Sequence, residues 1–461
     1  MIIYKSVKSI AGPLVVIENT QNVGYQEIVF LTDENGQKLN GQVIALEGTT
    51  AIVQLFSSAS GFKIDGSEAV FAGETKKMAL SPTLLGKTFT GSGKDFETGK
   101  EPEILPLAYR DINGAAINPF RRSEPKGFIQ TGVSSIDLTN TVVKGQKIPI
   151  FSGNGLPDLQ LLTQIAANAK TSDPNEKFVV IVAGMGITND QYEMVKKSLE
   201  QTGAIHRSIM FVNLASDPVV ERIMTPRLAL TASEYFAYDL GYSVLTLTFD
   251  LTNYANALRE VSSAKKEIPG RQGYPGYLYT DLATLLERAG TVEGLEGSIT
   301  QIPILTMPND DKTSVVPDLT GYITEGQIVL SRESFKKGIY PPVDILSSLS
   351  RLKDKGQGAQ FTREDHSQVA DQMFACLSES INQLELSFVL GKDSLSDIGK
   401  LYLEFNERYY SEFLNQQGES RTIIQTLDIA WNLFKILPRV ELKKLKDKTI
   451  EKYAPEILTN Q

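Results

Sequence analysis

The sequence predicts three parts in series: a β-barrel over residues 1–74, a parallel α/β core over 75–352 and a helical bundle over 353–461. Three observations lead there. Short β-branched runs broken by turn residues fill the first part. Apolar strand-like runs alternate with helical stretches in the second, and strand signals stop in the third. A chain of 461 residues also exceeds what one hydrophobic core usually organises.

In the first part, Gly41–Glu47 and Ala51–Phe56 flank Gly48-Thr49-Thr50 and read as a hairpin. Several such strands in a short segment favour a small barrel, which removes exposed sheet edges. In the second, Phe178–Val182, Ser208–Val212 and Val244–Phe249 are nearly unbroken apolar runs. Such strands are buried on both faces, the mark of a parallel sheet covered by helices. Helices are expected between them over Asp190–Gln201 and Pro218–Leu240. Ligands in such sheets bind beyond the carboxyl ends of the strands. In the third part helical periodicity runs through Arg363–Leu390, Ser394–Leu414 and Thr422–Leu437, with stops at Gly391 and Gly418. A lysine-rich amphipathic stretch, Arg439–Tyr453, follows with Leu442 and Leu445 on one side.

Composition removes several function classes. The net charge of -9 disfavours a general nucleic-acid or anionic-membrane binder. Cys376 is the sole cysteine, so no intrachain disulfide forms and a cysteine metal cluster is implausible. With His206 and His366 the only histidines, a His-built metal site or Ser-His-Asp triad is disfavoured, and no metal site is expected. The start lacks the build of a signal peptide, and no apolar run approaches the roughly 20 residues of a membrane span. The expectation is a cytoplasmic chain that meets a membrane only through partners.

The strand-like Ile148–Phe151 leads into Ser152-Gly153-Asn154-Gly155-Leu156-Pro157-Asp158 and then the helical Gln160–Ala169. Strand, glycine turn and helix start form the setting of a phosphate-gripping loop. The Lys and Ser/Thr that such a loop needs do not follow. Asp158 adds negative charge, and Pro157 removes an amide donor. By its chemistry the loop binds triphosphate weakly or not at all; a plain βα turn is the competing reading. Asp250 ends the run Val244–Phe249, where a carboxylate could hold Mg²⁺ through water.

Longer stretches resemble the B subunit of V-type and archaeal-type rotary ATPases. They include Phe128–Gly132, Gly145–Gly153, Gln201–Ile205, Thr225–Arg227 and Asp250–Ala255. Pro269–Tyr277, Pro317–Gln327 and Ser350–Gly356 complete the set. The resemblance implies a ring of three catalytic A and three B subunits, with a central shaft, a peripheral stalk and a separate membrane ion sector. In that family the B chain has a degenerate phosphate loop. ATP or ADP with Mg²⁺ is then held mainly by the A subunit, and Gly153, Gly155 and Asp250 form a weak remnant site. Arg351 matches the family's arginine finger, which stabilises charge on the transferring phosphoryl group of a neighbour; a solvated loop arginine is the alternative. Ser350 and Tyr279 are expected at the interface. Asp281, Glu287 and Arg288 either line the inter-subunit cleft with Tyr279 or form a buried network. Asp310-Asp311-Lys312 reads as a polar turn. Asp158, Gln272 and Ser314-Val315-Val316 depart from the family pattern.

Two other functions compete: a free-standing hexameric ATPase of related fold, and a nucleotide sensor without chemistry. The absent loop lysine argues against the first, and the affinity of the isolated chain for nucleotide discriminates the second.

Overall fold

The computed structural model describes residues 3–459. Its first part is a seven-stranded sheet of β1 (Ile3–Tyr4), β2 (Val7–Ala11), β3 (Leu14–Ile17), β4 (Glu27–Thr32), β5 (Lys38–Glu47), β6 (Thr50–Leu55) and β7 (Glu68–Thr75), in the order β1-β7-β4-β5-β6-β3-β2. β1 and β2 sit at opposite ends of that order yet are joined by Lys5 and Ser6 alone, so one stretch of chain links both edges into a barrel. Val15, Val29, Leu31, Val43 and Val53 fill the interior. The expected hairpin is present as β5 and β6, paired from Gly41–Leu55 to Glu47–Thr50.

The core sheet contains β8 (Thr88–Thr90), β9 (Ile150–Gly153), β10 (Phe178–Ile187), β11 (Ser208–Leu214), β12 (Ser243–Phe249), β13 (Ser298–Met307), β14 (Gly326–Leu330) and β15 (Val343–Ser350). Their order is β15-β14-β9-β13-β12-β10-β11-β8. All adjacent pairs in it are parallel except β14 with β15. A parallel return needs a crossover element, usually a long helix. Here only α8 (Arg332–Lys336) lies between β14 and β15, so the chain doubles back. Along β10, Val180 and Val182 pack on one face while Val179, Ile181 and Ala183 pack on the other. That alternation explains the unbroken apolar run.

Helices α1 (Ser134–Thr139), α2 (Asp158–Asn168), α3 (Asn189–Gln201), α4 (Val219–Glu234), α5 (Leu251–Ala264), α6 (Leu278–Leu286) and α7 (Val315–Ile323) belong to the core. The helix expected over 218–240 is α4 followed by a π-helical turn, Tyr235–Asp239. The last part holds α9 (His366–Leu390), α10 (Asp397–Arg408), α11 (Ile423–Phe434) and α12 (Asp447–Tyr453), and no strand occurs after Ser350 among the described residues. α10 also ends in a π-helical segment, Tyr409–Leu414, which buries Tyr409, Phe413 and Leu414. The tail is not one continuous helix. Arg439 folds back to donate to the carbonyls of Leu442 and Leu445, and α12 starts only at Asp447. Leu442 and Leu445 are both buried. One apolar cluster runs from Ile150 and Leu162 in the core to Met373, Phe405 and Trp431 in the bundle. Among the described residues no helix is long and apolar enough to cross a membrane.

Candidate functional site: two ends of one sheet

β9 ends at Gly153, and the chain turns through Asn154, Gly155 and Leu156 before α2 begins. Pro157 occupies the N-cap and offers no side-chain hydrogen bond. Asp158 instead fills the first turn, where its Oδ1 accepts from the Leu159 amide at 2.7 Å. A helix N-terminus favours negative charge. The protein's own carboxylate answers that field, where a phosphate would otherwise sit. Burial raises the Asp158 pKa against the hydrogen bonds that lower it.

A second obstacle comes from far along the chain. Asp310 follows β13, and Arg332 opens α8. Arg332 Nη2 donates to the Asn154 carbonyl at 2.9 Å and to Asp310 Oδ1 at 2.8 Å, while its Nε donates to Asp310 Oδ2 at 2.5 Å. A Cβ added at Gly153 would lie 1.7 Å from Asp310 Oδ1. The glycine makes room for this carboxylate. Hydrogen bonding to Arg332 holds the Asp310 carboxyl below its usual range. Of the stretch read as a polar turn, Asp311 does cap Thr313, at 2.8 Å from its amide and 2.7 Å from its hydroxyl. Asp310 belongs to this clamp. No local motif marks Arg332, and only the sheet order brings it to Gly153.

Beside the loop lies a cleft of about 580 Å³ lined by Gly155, Asp158, Asp190, Asp250 and Thr306 among others. Asp250 is 5% exposed. It caps α5 by accepting from the Thr252 amide at 2.7 Å, and it accepts from the Thr306 hydroxyl at 2.6 Å. Burial pushes its pKa up to about 6, against the Thr306 and Thr252 hydrogen bonds. No Lys, Arg or His lines this cleft. A site with three carboxylates and no cation does not fit a triphosphate. Gly153, Gly155 and Asp250 are thus brought together, but around an acidic hollow.

Arg351 lies at the other end of the strands. Ser350 pairs with Gly326 at the start of β14, and the Arg351 amide donates to the Glu325 carbonyl at 2.9 Å. Glu325 in turn is level with Lys147, so roughly 20 Å of strand separates Arg351 from Gly153. The Arg351 side chain is exposed and makes no hydrogen bond or ion pair with any described residue. Its base is rigid. Ser350 Oγ accepts from Gln146 Nε2 at 3.0 Å and is buried. Glu325 accepts from the Lys147 amide at 2.7 Å and its ammonium at 2.6 Å. A Cβ at Gly326 would meet the Leu349 carbonyl oxygen at 2.1 Å, so glycine is what lets β15 approach.

The remaining candidates divide. Tyr279 is 47% exposed on α6. Asp281 binds Arg227 at 2.7 Å and Tyr254 at 2.9 Å inside the chain. Arg288 is fully buried, with Glu234 at 2.7 Å and the Ile112 carbonyl at 2.9 Å. Glu287 bridges Arg122 at 2.7 Å and Lys147 at 3.3 Å.

Comparison with known proteins bears directly on this geometry. Residues 132–350 match the nucleotide-binding domain of the ATP synthase alpha/beta family, and residues 7–73 match its beta-barrel domain. Residues 355–454 match the C-terminal domain of V and A type ATP synthase. The chain is 39% identical to the ATP synthase subunit NeqB from Nanoarcheaum equitans, covering 91% of this chain and 98% of that one at a TM-score of 0.72. The chain belongs to the ATP synthase alpha/beta family, as a subunit of the A/V type. This ATP synthase subunit therefore assembles with other subunits of such an enzyme. Its sequence resemblance to the V/A-type B subunit agrees with both matches.

Proposed function

We propose that this ATP synthase subunit is the non-catalytic B subunit of a V/A-type rotary head. It alternates with catalytic A subunits in an A3B3 ring and extends Arg351 to an ATP site held by its neighbour. ATP or ADP and Mg²⁺ are then bound mainly by the A subunit. The helical bundle faces the central shaft, a peripheral stalk holds the ring, and rotation is coupled to H⁺ or Na⁺ flow in a separate membrane sector. Unequal affinities around the ring make that coupling allosteric.

One observation carries this reading: the Arg351 guanidinium is exposed and unengaged, about a full strand length from the chain's own acidic cleft, which holds no cation. A free planar cation suits transfer chemistry on a phosphoryl group bound elsewhere, where such a finger contributes roughly 10³–10⁵ in rate. In the reconstituted ring, Arg351→Ala is expected to leave assembly intact by size-exclusion chromatography and to lower ATP turnover by roughly 10³-fold or more. Turnover within threefold of the unaltered ring would remove Arg351 from the reaction.

A further inference from the structure

A second cleft, of about 610 Å³, opens at the seam between the barrel and the core. The barrel contributes Tyr25, Gln42 and Gln54, and the core contributes Arg227, Lys265, Glu267, Tyr277 and Asp281. Its size is that of a small-molecule site. Register explains the amides: Gln42 and Gln54 are cross-strand partners on β5 and β6, so both point to one face.

Two polar atoms here are left without partners. Gln54 is 8% exposed, and its Nε2 donates to nothing. Glu267 receives Lys265 on Oε1 at 3.3 Å and lies beside the Tyr277 hydroxyl, yet its solvent-shielded Oε2 meets no donor in hydrogen-bond geometry. A buried polar atom left unmatched is costly. Both line the same hollow, one from each wall, so one occupant carrying an acceptor and a donor would satisfy both.

The charges narrow its chemistry. Arg227 is taken by Asp281 at 2.7 Å and Asn113 at 3.1 Å, and Lys265 by Glu267. Two cations and two carboxylates cancel, with no cation left for a phosphate. Ile44, Ile223, Met224 and Leu258 supply apolar wall, and the exposed Tyr25 and Tyr277 offer aromatic faces. We propose that this seam binds an uncharged planar heteroaromatic bearing an exocyclic amine, of nucleoside size. The amine donates to Glu267 Oε2, and a ring nitrogen accepts from Gln54 Nε2. Such a ligand ties the barrel to the core, and it does so independently of the role given to Arg351.

Isothermal titration of the full chain with adenosine tests this. Saturable binding is expected. Inosine, which has a carbonyl in place of the amine, is expected to bind at least tenfold more weakly, and ATP no more tightly than adenosine. Glu267→Gln and Gln54→Leu are each expected to weaken adenosine at least tenfold. Circular dichroism checks that both variants fold, and the half-exposed Glu267 position keeps the test valid if the barrel tolerates Gln54→Leu poorly. A flat adenosine titration at millimolar concentration, meaning a cleft filled by water alone, would overturn the proposal. So would adenosine binding that neither substitution changes.

Discussion

At the carboxyl ends of β9 and β12 the chain gathers Asp158, Asp190, Asp250 and the Asp310–Arg332 pair, a set in which carboxylates prevail and the cation is already paired. At the opposite end, where β15 leaves the sheet, a braced backbone presents Arg351 with its guanidinium unengaged. One sheet thus has an end that repels phosphate and an end prepared to meet it. The difference lies in what each end spends its charges on, and it follows from the loop chemistry more than from the shared fold.

The comparison breaks most completely if β15 is forced away from β14. Gly326→Val places a side chain against the Leu349 carbonyl. A loss of about 3 kcal/mol or more is expected, read as a lowered thermal midpoint. The assembled ring should lose turnover with it. Unchanged melting would mean that the base of Arg351 is not held as described.

Acidification acts on two buried groups, His366 and Asp250, with opposite signs. His366 bridges the Leu138 carbonyl at 2.9 Å and the Thr362 hydroxyl at 3.0 Å, and burial pulls its pKa down to about 4. The unfolded chain therefore binds the proton first, so this stabilisation is present above about 6.5 and is lost as pH falls toward 4, up to ~3 kcal/mol. Asp137, beside Leu138 in α1, is raised by burial to about 7 and gains stability on acidification, so the loss is confined to the His366 contact that opens α9. Asp250 has the reverse sign: its raised pKa imposes a penalty above about 6 that is relieved as pH falls through that value. Hydrogen exchange, corrected for intrinsic chemistry, is expected to show less protection at the start of α9 and more around α5 between pH 7 and 4.5. Parallel changes at α9 and α5 would contradict the assignment.

The smallest effect belongs to the clamp. Asp310 and Arg332 are 42% and 36% exposed, so Asp310→Ala is expected to cost less than about 1 kcal/mol in a denaturant melt. It should also leave the isolated chain's ATP affinity weaker than micromolar, because Asp158 and Asp250 remain. Tight binding by this variant would show that the clamp alone closes the loop.

Much of the fold was legible because burial writes itself into local pattern. Phe178–Val182 had to be a two-sided strand, and the Gly48-Thr49 turn had to join a hairpin. The π-helical segments at Tyr235–Asp239 and Tyr409–Leu414 were hidden, since their apolar spacing also suits an α-helix. The antiparallel return of β15 was equally hidden, because it depends on the brevity of α8. At the site, the missing lysine and the Asp158 charge were readable from neighbours in sequence. The Asp310–Arg332 clamp on Gly153 was not, because it joins three segments that only the order β14-β9-β13 places side by side. The significance of Arg351 came from resemblance; its unengaged side chain and distance from Gly153 came from the structure.

The most direct test is a structure of the assembled ring with nucleotide bound to the neighbouring catalytic subunit. The account predicts the Arg351 guanidinium within about 3 Å of a terminal phosphate oxygen at a closed interface. An Arg351 loop that faces solvent in every interface, remote from all bound nucleotide, would contradict it.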